Sequence, residues 1–399
     1  MSSPTSELEM DEYESLKNDF TTLSSLQNLL FGVFDNDDLK REESIDALFS
    51  YFNEIEIESK YMIYEAFILM LTQSSMSRPS KSQEIIELSQ KIIDELITKH
   101  NLKNSFHVST IASIFSRNRA LLLYLNEKKL LKKSTIIRSI MNCHDYDAML
   151  FFYPEIQNRM ISLRISDMFH KNFGVYYGDF TKQYDDIELN RKMYHSNDEL
   201  AQIIQNDDID AFITFCGKYN IDLNSQINLT CYELIPILQC CDTKVSLLEY
   251  SMIFAAINVF KFLLAKQVDY DQNSLKYSII GGNSEIINII INESHYKFDH
   301  QCLEASIACF RPDITSYIEY HMGNNVPKYQ LIRLYYQYYD FASLNDYLKD
   351  IFRNIPITNY LMENNNYQNN LFLWFYYFSQ FFDESVNTCV FNILCKDVN

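Results

Sequence analysis

Apolar residues recur along most of this chain at the three- and four-residue spacing of helices, and short polar stretches interrupt them. SIDALFSYF, which begins at Ser44, and YMIYEAFILMLT, which begins at Tyr61, both carry this spacing, and the polar stretch TQSSMSRPSKSQ at 72–83 ends the second. Only seven glycines and seven prolines occur in 399 residues, too few for the many tight turns of a sheet protein. The pattern therefore predicts an all-α fold.

Breaks in this periodicity divide the chain into five parts. The start of the chain is rich in serine and acidic residues, which is typical of a disordered terminus. Clear periodicity is lost again in KNFGVYYGDFTKQYDDIELNRKMYHSND, which predicts a linker. The predicted parts are a disordered N-terminus at 1–11, an N-terminal helical region at 12–170, the linker at 171–198, a repeat region at 199–323 and a C-terminal helical cap at 324–399.

One segment of the repeat region occurs three times. LLEYSMIFAAINVFKFLL, LKYSIIGGNSEIINIII and LEASIACFRPDITSYIE align with Ser251, Ser278 and Ser306 in register, 27 and then 28 residues apart. Each copy predicts a first helix with a small residue at a close helix contact, then a turn and a second helix. Repetition at this period predicts an α-solenoid of helix pairs. The alignment also matches three sets of apolar residues, Leu248/Leu275/Leu303, Val259/Ile286/Ile314 and Leu263/Ile290/Ile318.

A fourth, weaker copy precedes these three. ELAQIIQNDDIDAFITF places Ala201 in the role of the small residue and Ile209 and Ile213 in apolar roles. An insertion follows, which puts Ser251 fifty residues after Ala201.

The second full copy contains two adjacent glycines at its turn. Gly282 is predicted to take the left-handed conformation that ends a helix, and Asn283 or Ser284 to cap the next helix. A phosphate-binding loop is the alternative interpretation of paired glycines, but a preceding strand and the lysine of a P-loop are both missing.

The copies resemble the ankyrin repeat, whose pattern runs TPLHxAAxxGHxEIVxLLLxxGADxN. SLLEYSMIFAAINVFKFLLAKQVDYD fits it without a gap, with Ser251 on the inner-helix alanine and Asp269 on the aspartate of GAD. GNSEII, from Gly282, matches the GHxEIV turn. The resemblance covers 199–320, and the helix pairs TIASIFSRNRALLLYL and TIIRSIMNCHDYDAMLFFY are interpreted as degenerate relatives. The chain is similar to large protist families of divergent ankyrin proteins, whose members mostly lack assigned functions.

Two departures from the ankyrin pattern affect the predicted surface. No copy has the proline or the histidine of TPLH, and the spacings of 27 and 28 residues fall short of the usual period of about 33. The missing residues are most simply removed from the β-hairpin fingers. The prediction is therefore degenerate ankyrin repeats with short inter-repeat loops and no strand longer than a few residues.

Charge and cysteine content restrict the class of protein. The formal charge is -19, which repels nucleic acid and anionic lipid. The most apolar run, LFLWFYYFSQFF at 371–382, is too short to cross a bilayer, and the N-terminus lacks a secretory signal pattern. Nine scattered cysteines are typical of buried, reduced thiols. The expectation is a soluble, cytoplasmic protein with neither nucleic-acid nor membrane partners.

The sequence offers few candidates for chemistry. Cys143, His144 and Asp145 are consecutive, so on a helix they point in different directions. His195 with Cys231, Cys240 and Cys241 matches no structural zinc spacing. We therefore predict no catalytic residue, metal or cofactor.

One basic run is open to two interpretations. NEKKLLKK is predicted to place four lysines on one side of a helix, Lys128, Lys129, Lys132 and Lys133. This is the one candidate site for nucleic acid in the sequence, but a solvated helix face explains it equally well, and the acidic total favours that interpretation.

The ankyrin resemblance implies a non-catalytic scaffold that binds a protein partner on its concave helical face. In ankyrin proteins the residue before the small inner-helix position and the variable positions after it face that surface, which here gives Tyr250, Ile253, Phe254, Tyr277 and Ile280. The alternative is that an insertion around 220–242, or the C-terminal helices, folds over this strip and buries it. Two other functions stay open: a regulatory subunit that docks through LFLWFYYFSQFF, and an enzyme whose site is assembled between repeats.

Overall fold

The structure is a computed structural model that describes residues 4–143, 146–157, 187–235, 244–294, 296–323, 326 and 328–352. Helices dominate these residues, which confirms the all-α prediction. The chain divides into two compact units, the first formed by residues 1–71 with 322–399 and the second by 72–321. The five predicted parts, with the linker at 171–198, stay predictions. Among the described residues, no helix has both the length and the apolar character needed to cross a bilayer.

Helices follow one another through the first half of the chain, separated by short turns. Residues 4–11 belong to the first helix, although the sequence predicted disorder there. Two 3-10 turns, Ile57–Ser59 and Pro79–Lys81, precede the third and fourth helices. The helices are α1 (Pro4–Asp35), α2 (Asp38–Glu54), α3 (Tyr61–Ser74), α4 (Ser82–Thr98), α5 (Leu102–Ser105), α6 (Val108–Phe115), α7 (Arg119–Glu127), α8 (Lys133–Cys143), α9 (Tyr146–Phe151), α10 (Tyr153–Gln157) and α11 (Ile187–Met193).

The second half of the chain is built from pairs of helices. The pairs are α12 (Glu199–Gln205) with α13 (Ile209–Tyr219), α14 (Leu247–Ile253) with α15 (Ile257–Ala265), α16 (Leu275–Gly281) with α17 (Ser284–Glu293), α18 (His300–Ala308) with α19 (Pro312–Met322), and α20 (Lys328–Gln337) with α21 (Phe341–Phe352). Between α13 and α14 lie two strands, β1 (Gln226–Asn228) and β2 (Lys244–Ser246), which pair antiparallel with Ile227 opposite Val245. At three residues each, these strands are as short as the sequence predicted.

Successive pairs contact each other through equivalent helices. The first helices touch in the order α12, α14, α16 and α18, and the second helices in the order α13, α15 and α17. Ser251, Ser278 and Ser306 are buried at these contacts, and each donates its hydroxyl to the carbonyl three residues earlier at 2.6 to 2.8 Å. A serine can be buried there because its one donor is satisfied within its own helix.

The two adjacent glycines at the end of α16, Gly281 and Gly282, are each required for a different structural reason. Gly282 takes the left-handed conformation, with φ of 69°, and ends the helix. Asn283 then caps α17 by accepting hydrogen bonds from Glu285 N at 2.9 Å and Ile286 N at 3.2 Å. A methyl group on Gly281 would overlap the carbonyl oxygen of Met252 in α14. The helix end at Gly282 is as the sequence predicted, whereas the close inter-helix contact at Gly281 is seen only in the structure.

The register of the weaker copy differs from the prediction. Its turn lies at Asp207, as the paired aspartates of the sequence indicate, but it precedes the equivalent Ala255 by 48 residues, whereas the alignment of Ala201 with Ser251 has an offset of 50. Ala201 is buried as expected, but Ile213 is 45 % exposed, and Phe212 occupies the core in its place. The sequence AFITF allows either register, and the observed one buries the larger aromatic ring.

In the unit formed by residues 1–71 and 322–399, the long helix α1 packs against α2 and α21. Gln27 in α1 donates to Asp340 Oδ1 at 2.7 Å and accepts from Ala342 N at 2.9 Å, so its amide binds the beginning of α21. Asp340 is buried, and this burial raises the pKa of its carboxyl group. The described part of the predicted C-terminal cap therefore pairs with the N-terminal helix, whereas LFLWFYYFSQFF lies outside the described residues.

Candidate functional site

The five residues predicted to bind a partner are all buried in the folded chain. Tyr250, Ile253, Phe254, Tyr277 and Ile280 have exposed fractions between 0 and 4 %. The first three lie at α14 and the other two in α16, so the repeat register does bring them together. The strip is therefore not free in the folded chain, which agrees with the alternative that other parts of the chain fold over it.

A polar segment supplies much of that packing. Residues 72–82, here called the cover segment, lie in the stretch that the sequence presented only as a break between helices. Gln73 donates to the carbonyl of Ala308 at 3.5 Å, and Arg78 donates to the carbonyl of Cys309 at 2.5 Å, so both bind the end of α18. The 3-10 turn of the segment contacts α16. The cover segment therefore lies across the first helices of two successive pairs.

The cover segment can be buried because its hydroxyl groups are satisfied locally. Ser75 donates to Thr72 O at 2.8 Å and Ser77 to Ser74 O at 2.6 Å, and Asn118 donates to Ser75 Oγ at 2.8 Å. A hydroxyl that bonds to the carbonyl three residues earlier leaves little polar surface to hydrate. The sequence signal was the high content of serine and threonine, whose hydroxyls can bond to a nearby backbone carbonyl. The buried polar members of the segment are Thr72, Gln73, Ser74, Ser75, Ser77 and Ser82.

A buried histidine joins the cover segment to the repeats. His195 Nε2 lies 2.8 Å from Ser82 Oγ and 3.1 Å from Pro79 O, and Nδ1 lies 2.8 Å from Glu233 Oε2. The ring also packs edge-on against Phe254, with centroids 4.7 Å apart. In the sequence His195 stood out only as a possible zinc ligand, and no pattern singled out Glu233.

Glu233 is the centre of this polar cluster. Its Oε1 accepts from Ser196 N at 3.1 Å and from the Tyr250 hydroxyl at 3.4 Å. That hydroxyl in turn accepts from Gln205 Nε2 at 2.8 Å, and burial raises the pKa of Tyr250 well above its usual range. Glu233 comes from the insertion that the sequence placed around 220–242, so this insertion does contribute to covering the strip.

Ser82, His195 and Glu233 lie at the distances of a catalytic relay, but they are buried where a substrate cannot reach them. In a relay the histidine accepts the serine proton, whereas here the Ser82 hydroxyl donates to Pro79 O at 3.0 Å. The three residues are 4 or 5 % exposed, so a substrate carbonyl cannot approach Ser82 without rearrangement of the fold. The cluster is suited to holding three chain segments together.

Two buried arginines extend the polar core. Arg119 donates to the carbonyl of Glu233 at 3.0 Å, which links α7 to the same segment. Arg191 in α11 donates to Glu155 in α10 at 3.1 Å, and both side chains are less than a tenth exposed. Buried charges of this kind require partners, and losing one partner is costly.

The thiols and candidate metal ligands do not converge in the described structure. Cys216, Cys231, Cys302 and Cys309 are free and buried, as predicted, and burial raises the pKa of Cys231 to about 12. Within the described ranges, no three histidine, cysteine or acidic side chains are grouped so that they could hold a metal ion. His144, Asp145, Cys240 and Cys241 lie outside these ranges.

The basic run NEKKLLKK forms a turn, not the predicted helix face. Helix α7 ends at Glu127, Lys129 is left-handed with φ of 58°, and α8 begins only at Lys133. Lys128 pairs with Asp94 at 2.8 Å. The two leucines of the run are buried, and the bond from Leu130 N back into α7 ends the helix early. The lysines therefore do not form one continuous helical stripe.

Comparison with known families gives one partial match. Residues 265–347 match a family described as a domain of unknown function, DUF3447, which is associated with ankyrin-repeat proteins. This range runs from the end of α15 into α21 and covers about a fifth of the 399 residues. Searches of curated proteins and of solved structures found no match.

Proposed function

We propose that the chain is a non-catalytic protein-interaction scaffold, an α-solenoid of degenerate ankyrin-type repeats. The observation that carries this proposal is the regular spacing of left-handed helix ends. Ala255, Gly282, Phe310 and Tyr339 all have positive φ at the end of a first helix, 27, 28 and 29 residues apart. Asparagine and glycine adopt this conformation more readily than alanine, phenylalanine or tyrosine, so its recurrence at these residues points to a shared repeat geometry.

A second left-handed position supports the ankyrin type. Asn220, Gln267 and Gly323 have positive φ after the second helix of their pairs. In the alignment with the ankyrin pattern, Gln267 occupies the place of the glycine in GAD. Helix α7 is followed in the same way by left-handed Lys129, eleven residues after the cap residue Asn118, and Gln267 likewise follows Ala256 by eleven. This agreement favours α6 and α7 as a further, more divergent copy.

The family match supports the same proposal independently of the backbone geometry. It begins at residue 265 and ends at 347, so its three helix pairs are those that carry the left-handed turns at Gly282, Phe310 and Tyr339. The shared activity of ankyrin-repeat proteins is recognition of other proteins, and this is the function proposed here. The proposed location is the cytoplasm, in keeping with the free thiols.

The proposed partner is a protein that docks outside the buried strip of Tyr250 and its neighbours. A partner that used the strip would have to displace the cover segment, in which Gln73 bonds to α18 and Ser82 bonds to His195. A regulatory subunit that docks through residues 371–382 remains the alternative, and it differs from a scaffold in requiring that segment for capture.

Affinity capture with the full-length chain tests the proposal. Immobilised protein should retain a specific protein from a lysate of the source cells, and deletion of 371–382 should leave that capture intact if the repeats supply the docking surface. The enzymatic alternative has its own readout in a panel of ester and amide substrates. Hydrolysis that disappears in the variant Ser82→Ala would overturn the non-catalytic assignment.

A further inference from the structure

A cluster of aromatic rings lies on the surface of the second unit, around α19. The cluster, called the aromatic patch below, consists of Phe298, Tyr317, Tyr320 and His321. Ring centroids are 5.7 Å apart for Phe298 and Tyr317, 4.4 Å for Tyr317 and His321, and 5.5 Å for Tyr320 and His321. Tyr317 is 42 % exposed and Tyr320 is 82 % exposed. Large exposed rings that contact one another are the side chains that most often anchor protein partners.

Helix α19 presents the patch on one side and the core on the other. Thr315 and Ile318 are buried in the unit. Tyr317, Tyr320 and His321 are exposed and lie within one turn of each other. Burial of the opposite face holds the rings in place, so a partner would meet a preformed surface.

Other aromatic rings on the second helices already carry a cation from the chain itself. The ammonium of Lys266 lies 5.5 Å from the ring of Phe262 in α15, and that of Lys218 lies 4.7 Å from Tyr219 in α13. Tyr317 lies as many residues after the left-handed Phe310 as Phe262 lies after the left-handed Ala255. The residue four positions on is His321 where α15 has Lys266. A histidine, unlike a lysine, is not a permanent cation near neutral pH.

We propose that the aromatic patch binds a basic segment of a protein partner, whose arginine or lysine side chains stack on Tyr317 and Tyr320. The patch repeats the ring position of Phe262, which attracts Lys266, but has His321 in the place of that lysine. Charge favours the same partner, because the exposed Asp313 precedes Tyr317 by one turn and the whole chain carries -19. A second copy of this acidic chain, or a nucleic acid, would instead be repelled. The inference rests on the proposed scaffold function and names the partner class and surface.

Titration of a fluorescein-labelled oligo-arginine peptide with the full chain, followed by anisotropy at near-physiological salt, tests the proposal. Tyr320→Ala and Tyr317→Ala should each weaken binding about two- to fivefold. Tyr320→Phe keeps the ring and should bind as the parent does. His321→Lys should also weaken binding, since it supplies the missing lysine from within the chain. Tyr219→Ala is the matched control, because Tyr219 is 51 % exposed but already has Lys218 at its ring.

Two results would overturn the assignment. Equal affinity for the parent, Tyr320→Ala and Tyr219→Ala would mean that general charge attraction alone holds the peptide. Self-association that is lost in Tyr320→Ala, without an effect on peptide binding, would assign the patch to a second copy of the chain. In either case, if Tyr320→Ala still captures the same protein from the lysate, the proposed scaffold function is retained and only the aromatic patch is rejected as its binding surface.

Discussion

The backbone of Gly281 lies directly against the carbonyl oxygen of Met252, so that no side chain fits between α16 and α14 at this point. Gly281→Ala should therefore lower the free energy of unfolding by roughly 1 to 3 kcal/mol, because the added methyl forces the two helices apart. Urea denaturation measures this loss. Gly217→Ala is the control, since Gly217 lies in α13 with open space around it, and that change should leave stability the same or slightly higher.

Burial of the predicted binding strip leads to a second prediction. Phe254→Ala should reduce the free energy of unfolding by about 3 to 5 kcal/mol, because Phe254 is 3 % exposed and packs on both Tyr250 and His195. Ile213→Ala should change stability by less than about 0.5 kcal/mol, since Ile213 is exposed. Thermal or urea unfolding of both variants checks the pair of values. Similar losses at the two positions would contradict the observed register of the weaker copy.

The His195–Glu233 contact should be among the costly ones to break. Glu233→Ala leaves His195 Nδ1, Ser196 N and the Tyr250 hydroxyl without their carboxylate, and should cost about 3 to 5 kcal/mol. Glu285→Ala removes a carboxylate from an exposed pair with Lys261 and should cost less than about 1 kcal/mol. Equilibrium unfolding in urea gives both values. If Glu233→Ala costs less stability than Glu285→Ala, the polar cluster does not stabilise the packing of the cover segment.

The buried carboxyl group of Asp340 makes stability depend on pH. Burial raises its pKa in the folded chain, so this group favours folding below its unfolded pKa and loses that contribution as pH rises through the folded pKa. Asp340→Asn removes the ionisation while its Oδ1 can still accept from Gln27. The variant should be more stable than the parent at about pH 8, and the difference should shrink as pH falls towards about 5. Urea unfolding across this range measures it, and a difference that does not change with pH would contradict the buried-charge explanation.

The period of the sequence predicted the features that each repeat determines by itself. Ser278 had to be small, and Gly282 had to end its helix, because both depend on neighbours within about one repeat length. Ile213 was misplaced, since AFITF fits two registers and only tertiary packing distinguishes them. The local sequence pattern was therefore sufficient for the helices and turns, and insufficient for the register of the second helix in the weaker copy.

The candidate site was predicted less well, because the contacts that cover it join distant parts of the chain. His195 contacts Ser82 across 113 residues and Glu233 across 38. The polar composition of the cover segment is typical of an exposed loop, and the segment can be buried because its hydroxyls bond to its own backbone carbonyls. The ankyrin resemblance predicted which residues line the strip, but it could not predict that this chain would cover them.

The contact between Gln27 and Asp340 joins residues 313 positions apart, so α1 and α21 cannot pair until nearly the whole described chain has been made. At a synthesis rate of about 5 to 20 residues per second, α1 waits for roughly 15 to 60 s before its partner helix leaves the ribosome. For that time α1, whose Leu23, Leu26 and Leu30 are fully buried in the finished protein, has only α2 of its two partner helices. Premature termination before α21 would therefore release a chain whose N-terminal helix lacks one of its two partner helices.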